Sequence, residues 1–464
     1  MLRLVAGQAE TLWDEALPIE VRELPQDLAA LDGLLSDPVL LAPFVEHWER
    51  EALVSGTSAA GHGRPTLAIE TFVRLMVLKQ RHGWGYRTLV AEVSDSIHLR
   101  RFCRIALTER VPDESTVRKL TRRIGEQTVN DVTRALIEAA VRERRFKARA
   151  VRIDSTVIEA DIKYPTDAGL ASHGVRSLAR EGRKLAAKLG ETKIRVRDRS
   201  RSMGRRLRAV SRTIRRRGGE AKAEVLALTE QTGQLLEQSV KEARRLAATA
   251  RRKARGRGAQ AKLRAARMLD ELADRCQKVC EQIGQRVRGE KIADRLISLS
   301  DPDARPIRKG KLGKPNEFGY ITQIAEVTAN TKRGARGLIV PASSQVGNPV
   351  ENQLLPQTVT ELNQLGLSPR EFALDGGFTV AATSEQLEDL QAERVFISGR
   401  QQPGSRRTQR RLQRYRTGAE GRISHLKRGY GMRRSRLKGD DGQKTWTGWG
   451  ILTYNLDTLT IRTA

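Results

Sequence analysis

Hydrophobic positions recur at helical spacing along the first third of the chain. Between residues 67 and 82 the apolar side chains fall three to four residues apart, as in an amphipathic helix, and Gly83 and Gly85 end the pattern. Asp113, which follows Pro112, is placed to cap another helix. Shorter helices are predicted over residues 28–35, 44–54, 86–93, 99–105 and 114–124. The first 145 residues are therefore expected to be helical.

The pattern changes after Lys147. Residues 148–159 alternate and are rich in β-branched side chains, which favours a strand. Further strands are predicted over 318–329, 337–342, 371–375 and 394–398, and helices over 350–365, 384–392, 412–430 and 446–459. Strands on both sides of a long intervening segment predict one α/β unit, a mixed sheet flanked by helices.

Four regions follow from these patterns. We predict an N-terminal helical segment at 1–60, a helical region at 61–145, a catalytic core at 146–170 and 291–464, and a mainly helical insertion at 171–290. Short helices joined by tight turns and studded with arginine suit a helix-turn-helix-like DNA-binding region at 61–145. A plain helical bundle explains the same periodicity equally well.

The insertion is strongly basic. It holds 33 Lys and Arg against 13 Asp and Glu, with expected breaks near Gly190, Gly204, Gly218 and Gly256. Helices this polar are not expected to form a core unaided, so we predict a hairpin or small bundle laid against phosphates. A solvated hairpin that only sets a distance is the alternative. The predicted phosphate-binding residues are Arg205, Arg206, Arg215, Arg216 and Arg217.

Charge narrows the class of partner. The 85 Lys and Arg exceed the 55 Asp and Glu by 30, and a surface this basic attracts a polyanion. Aromatic residues make up only 4%, which argues against single-strand binding by base stacking. Cys103, Cys276 and Cys280 cannot form a disulfide framework and are expected to be reduced. Without a long apolar run, we expect a cytoplasmic, nucleoid-associated protein with no membrane partner.

Three acids stand out by their positions. Asp154 lies in the first strand, Asp375 at the end of a later one, and Glu420 in a helix that also carries Arg416 and Lys427. Carboxylates from separate elements can converge on two divalent cations, which prefer oxygen ligands. Offsets of four and seven residues place Arg416 and Lys427 on the face of Glu420, where they could hold phosphates. An ordinary surface pair between Arg416 and Glu420 is the simpler interpretation.

These segments resemble the DDE-type transposases of bacterial insertion sequences. The segments are RIDSTVIEA around Asp154, FALDGGF around Asp375 and YRTGAEGRISHLKRGYG around Glu420. The last is similar to a signature with Tyr, Arg, Glu and Lys, whose aromatic position falls on Gln413, two residues before Tyr415. KGKLGKPNEFGY (309–320) and KTWTGWGILTYNL (444–456) also look like segments of that family.

The resemblance implies both a fold and a reaction. It implies an RNase H-like core in which Asp154, Asp375 and Glu420 hold two Mg²⁺ ions, which Mn²⁺ could replace. It also implies cleavage of double-stranded DNA at terminal inverted repeats, joining to target DNA, and a homodimer or larger synaptic assembly. A non-catalytic transposase-derived repressor is the alternative from another class, and a nuclease that cuts without joining is a third possibility.

Overall fold

The computed structural model describes residues 2–6, 16–55, 66–190, 194–216, 218–256, 258–311, 314–401 and 404–463. Two compact units divide the chain. Unit 1 combines Met1–Asp161 with Gly319–Ala464, and unit 2 is the continuous stretch Ile162–Phe318. Unit 2 therefore includes the whole of the predicted insertion.

Helices build the N-terminal part of unit 1. They are α1 (Ile19–Arg22), α2 (Gln26–Leu35), α3 (Ala42–Ser55), α4 (Ile69–Arg81), α5 (Tyr86–Asp95), α6 (Ile97–Phe102) and α7 (Glu114–Arg142), with a 3-10 turn at Pro38–Leu40. All but α1 and the second half of α7 were predicted. The predicted end at Ile124 corresponds to a break, because Gly125 has φ 70° before the helix resumes. Asp113 occupies the N-cap, although its side chain accepts no capping hydrogen bond.

The core of unit 1 joins segments that are distant in sequence. Helix α4 is buried along nearly its whole length, from Ile69 to Gln80. The C-terminal helix α15 (Asp440–Thr463) packs against both α4 and α7. Phe72 meets Trp449 edge to face, with ring centroids 5.6 Å apart. The N-terminal helices and the last helix therefore share one apolar core.

A mixed sheet forms the rest of unit 1. Its strands are β1 (Ala150–Ala160), β3 (Lys314–Thr328), β4 (Leu338–Ile339), β5 (Ser343–Ser344), β6 (Glu371–Leu374), β7 (Arg394–Ile397) and β8 (Arg434–Ser435). Strand β1 pairs antiparallel with β3 and parallel with β6, which pairs parallel with β7. The short strands β4 and β5 pair with β3, and β8 pairs with β1. The predicted α/β unit with a mixed sheet is confirmed.

Helices follow these strands in the second half of unit 1. They are α12 (Glu351–Gln364), α13 (Val380–Gln386), α14 (Arg406–Gly429) and α15, with a 3-10 turn at Glu388–Leu390. Helix α14 begins six residues earlier than the predicted start at Leu412, because Ser405 caps it by accepting from the Thr408 backbone N–H.

Unit 2 is mainly helical. It contains α8 (Asp167–Leu189), α9 (Ser200–Thr213), α10 (Gly219–Arg252), α11 (Ala259–Val287) and strand β2 (Arg305–Lys311), which was not predicted. Two expectations were wrong. Gly204 lies inside α9 and does not interrupt it. The helices also build a core of their own, including Leu178, Leu236 and Leu269, because each is basic on one face only.

Among the described residues, no single helix has the length and apolar character needed to cross a membrane. One bent pair, Gln26–Leu35 with Pro38–Val54, meets the length and composition criteria across a 70° break.

Candidate active site

Strand register brings two of the predicted acids together. Ile153 of β1 lies beside Leu374 of the parallel strand β6. The residue that follows on each strand segment is an acid, Asp154 on β1 and Asp375 just after β6. The two acids therefore lie next to each other where the pairing of these strands ends. The convergence expected from separate elements is therefore present for this pair.

A buried ion network fixes α14 on the sheet. Arg152 and Glu326 are cross-strand partners on β1 and β3, 4% and 1% exposed, with Nη2 2.6 Å from Oε2. Arg152 also donates to the Tyr415 carbonyl of α14 (3.2 Å), and Arg422 of the same helix donates to Glu326 Oε1 (2.9 Å). Gly418 permits this approach, since an added Cβ would overlap the Arg152 guanidinium. The network sets the position of Arg416 and Glu420.

The guanidinium of Arg416 contacts all three predicted acids. Its Nη2 lies 2.7 Å from Asp375 Oδ1 and 3.7 Å from Asp154 Oδ2. Its Nη1 donates to Glu420 Oε1 at 3.2 Å, so the surface pair considered above does exist, as one part of a larger cluster. The Arg416 side chain is 14% exposed, and its buried Nε has no hydrogen-bond partner. Three carboxylates therefore converge on one cation.

Burial and like charge act on Asp154. Its side chain is 11% exposed, and burial, followed by the nearby Asp375 and Glu351 carboxylates, raises the pKa of Asp154 to about 6. The Arg416 guanidinium opposes this shift, as does the Ser155 backbone N–H, which donates to Asp154 Oδ1 at 2.8 Å. A strand carboxyl with a raised pKa at a cluster of acids is characteristic of functional sites.

Glu351 is an acid that sequence analysis missed. It begins α12 and accepts a hydrogen bond from Ser155 Oγ, beside Asp154. Gln323 of β3 also donates to its carboxylate, at 3.4 Å. The Glu351 stem packs against Gly377 in the loop after Asp375, where an added Cβ would lie 2.9 Å from Cγ. Glu351 thus braces both segments that carry the paired acids. Its position in the first turn of a predicted helix did not indicate a role beside the paired acids.

Comparison with known proteins bears on residues outside this cluster. Residues 36–123 match the family described as "Transposase domain (DUF772)". This stretch of the chain is similar to a transposase domain. It is also similar to an uncharacterized protein, ORF8 in the nfe locus of Rhizobium meliloti, with 28% identity over 149 residues, which is 31% of this chain and 72% of that one. No solved structure matches. These findings support an insertion-sequence transposase.

The transposase domain and the acids occupy different parts of unit 1. The matched residues run from the end of α2 into α7, whereas Asp154, Asp375 and Glu420 lie on β1, after β6 and on α14. The match therefore supports a likeness to transposases and does not reach the acids. The roles of the acids have to be argued from the geometry.

The acids suit a hard divalent cation by their donor chemistry, since each offers carboxylate oxygens. Arg416 already places one positive charge where they converge. Within the part of the chain that the structure describes, no three His, Cys, Asp or Glu side chains are arranged ready to hold one metal ion. The residues fit Mg²⁺ in kind, and the Arg416 side chain occupies the space between them.

The remaining predicted residues have varied surroundings. Lys427 is half-buried on α14, and Tyr415 is buried, with its hydroxyl 2.6 Å from Thr328 Oγ1. The aromatic ring displaced in the signature is therefore part of the core. In unit 2, Arg205 and Arg215 are exposed, and Arg206 and Arg216 bond to Gln231 and Glu224. Arg217 lies outside the described residues.

Proposed function

We propose that this chain is a DDE-type transposase with an RNase H-like core, in which Asp154, Asp375 and Glu420 are the catalytic and metal-binding acids. It would cleave double-stranded DNA at the terminal inverted repeats of its insertion sequence and join the freed ends to target DNA. The transposase domain supports the class of activity. The arrangement of β1, β3 and β6 is compatible with the proposed core.

The convergence of the three acids on Arg416 carries this proposal. In sequence, Asp154 and Asp375 are separated by the whole of unit 2 and several elements more, yet both contact the same guanidinium nitrogen. Asp154 is buried, Asp375 is half-buried and Glu420 is exposed, and gathering like charges around a buried one is unfavourable unless positive charge compensates them. A site with that requirement is suited to take up divalent cations.

Each residue has a distinct task in this proposal. Two Mg²⁺ ions held by the acids, or Mn²⁺ in their place, would supply an activated water and stabilise the leaving 3′ oxygen. Arg416 would turn from the carboxylates to a phosphate oxygen, which its planar guanidinium can grip with two hydrogen bonds. Lys427, one of the half-buried cations on the same helix, would hold a second phosphate. Glu351 would keep the loop after Asp375 in place.

Recognition and assembly belong to the same proposal. We assign recognition of the inverted repeats to the helical region at 61–145, which overlaps the transposase domain at 36–123. A homodimer or larger assembly would hold two element ends together. The exposed arginines of α9 and the turn that follows it, Arg205 and Arg215 among them, would add contacts to phosphates.

The test uses Asp154→Asn, Asp375→Asn and Glu420→Gln with DNA carrying the correct ends. Each variant should lose cleavage and strand transfer by roughly a thousandfold or more, since metal-assisted charge stabilisation contributes several kcal/mol. Each should also bind Mn²⁺ more weakly by calorimetry while retaining DNA binding. The exposed Asp161→Asn is the matched control and should behave as wild type. Full activity in any of the three variants would remove that acid from the mechanism.

A further inference from the structure

A basic cleft runs along the first half of α14. It encloses about 1090 Å³ between that helix and the turn after β3. It is lined by Thr331, Lys332, Arg333, Arg407, Thr408, Arg410, Arg411, Arg414 and Thr417. Six of these side chains are cationic, three are threonines and none is acidic. We call this the α14 cleft.

Most of its positive charge is uncompensated. Arg411 is paired with Glu371 at the start of β6, with Nη1 2.7 Å from Oε2, and also donates to Thr331. The other five cations, Lys332, Arg333, Arg407, Arg410 and Arg414, are exposed, and no carboxylate among the described residues pairs with any of them. Like charges gathered in one concavity repel each other and attract anions. The cleft is therefore built to receive a polyanion.

We propose that the α14 cleft binds the phosphodiester backbone of one DNA strand, without regard to sequence. This inference rests on the proposed function for the choice of DNA. Arginine forks and threonine hydroxyls suit phosphate oxygens. No aromatic side chain lines the cleft, so it offers no stacking platform for bases.

The position of the cleft on α14 sets it apart from the acids. Arg407 precedes Arg416 by nine residues, which is roughly 14 Å along the helix at about 1.5 Å per residue and half a turn around it at about 100° per residue. Arg411, which lines the cleft, pairs with Glu371 at the start of β6, whereas Asp375 follows the end of that strand. The cleft would therefore hold DNA on the face of α14 turned away from Arg416, at a distance from the scissile phosphate.

The test measures binding and not cleavage. The triple variant R407Q/R410Q/R414Q and wild type are titrated with a labelled duplex DNA of random sequence, in EDTA, across a series of KCl concentrations. Because each lost phosphate contact lowers the slope of log affinity against log salt by about 0.9, three lost contacts should lower it by roughly 2.7. The charge-matched control replaces three exposed arginines that are already paired with carboxylates, as R50Q/R145Q/R370Q. Its slope should change by less than the value of about 0.9 expected for one phosphate contact.

Each possible result either supports DNA binding in the α14 cleft or overturns it. An unchanged slope in the cleft variant, or an equal fall in the control, would overturn the proposal. So would a fall seen with duplex RNA of the same sequence and not with DNA. The proposed catalysis is judged separately, because EDTA removes it from this experiment. Loss of cleavage in the Asp154 variant together with an unchanged slope would refute the cleft alone. Retained cleavage in the Asp154 variant together with a lowered slope in the cleft variant would refute only the catalytic assignment.

Discussion

Gly418→Ala is the most informative single change, because it disturbs the contact between Arg152 and α14 that holds this helix on the sheet. The new methyl group would overlap Arg152 Nη1 and lie 2.9 Å from its Cζ. Arg152 is 4% exposed and cannot swing into solvent. It would have to surrender its hydrogen bond to the Tyr415 carbonyl, or α14 would have to lift from the sheet.

The magnitude follows from a comparison with Gly421→Ala on the same helix. An added Cβ at Gly421 meets nothing within 4 Å. Alanine gains about 1 kcal/mol over glycine in a helix, and this gain applies to both positions, so it cancels in the difference. What remains is the loss of one hydrogen bond to a charged group, about 1.5–3 kcal/mol. Gly421→Ala should therefore be more stable than wild type, and Gly418→Ala less stable than Gly421→Ala by that amount.

Urea unfolding followed by tryptophan fluorescence measures this difference. All five tryptophans of the sequence fall in the chain segments of unit 1, so the signal reports that unit alone. Cleavage activity should fall in Gly418→Ala and not in Gly421→Ala, because only the first displaces Arg416 and Glu420. Equal stability of the two variants would refute the argument that Arg152 holds α14 through this contact.

Three further changes test other parts of unit 1. Glu326→Gln leaves Arg152 and Arg422 without their shared buried partner and should lower the free energy of unfolding in urea by about 3–5 kcal/mol. The control Glu393→Gln, which breaks an exposed pair, should lower it by under about 1 kcal/mol. Asp154→Asn should raise the urea midpoint of the metal-free protein at pH 7. Burial raises the pKa of Asp154 to about 6 from 3.8, so its ionised form destabilises the fold and the gain should vanish as pH falls towards 4. Glu351→Gln removes a negative charge that raises the pKa of Asp154, so the acid limb of the cleavage pH profile should move to lower pH; an unmoved limb would show that this charge does not reach the site.

Local patterns predicted the elements of unit 1 well, because apolar spacing reflects which face of a segment is buried. The strand around Asp154 and the helix around Glu420 were located on that basis. The pairing of Arg152 with Glu326 was not predictable, since charged residues in a strand normally indicate a solvent-facing side. Their partnership depends on a strand that enters the sheet more than 150 residues later.

Unit 2 shows a different limit. Counting charge over whole helices suggested segments too polar to pack. The apolar positions of α8, α10 and α11 nevertheless line one face of each helix and meet there. The register that brings Asp375 beside Asp154 is likewise set by tertiary pairing and not by the residues around either acid.

The split of unit 1 has a consequence for how the protein is made. When β1 leaves the ribosome, β3, β6 and β8, the strands it pairs with, have not yet been translated, and neither has α15, the helix that completes the core with α4 and α7. Unit 2 is continuous and is synthesised in full before the second half of unit 1, so the first half of unit 1 still lacks its partners at that point. Pairings this distant in sequence close slowly. We therefore expect nascent chains halted before residue 440 to protect unit 2 from protease while the N-terminal helices remain cleavable.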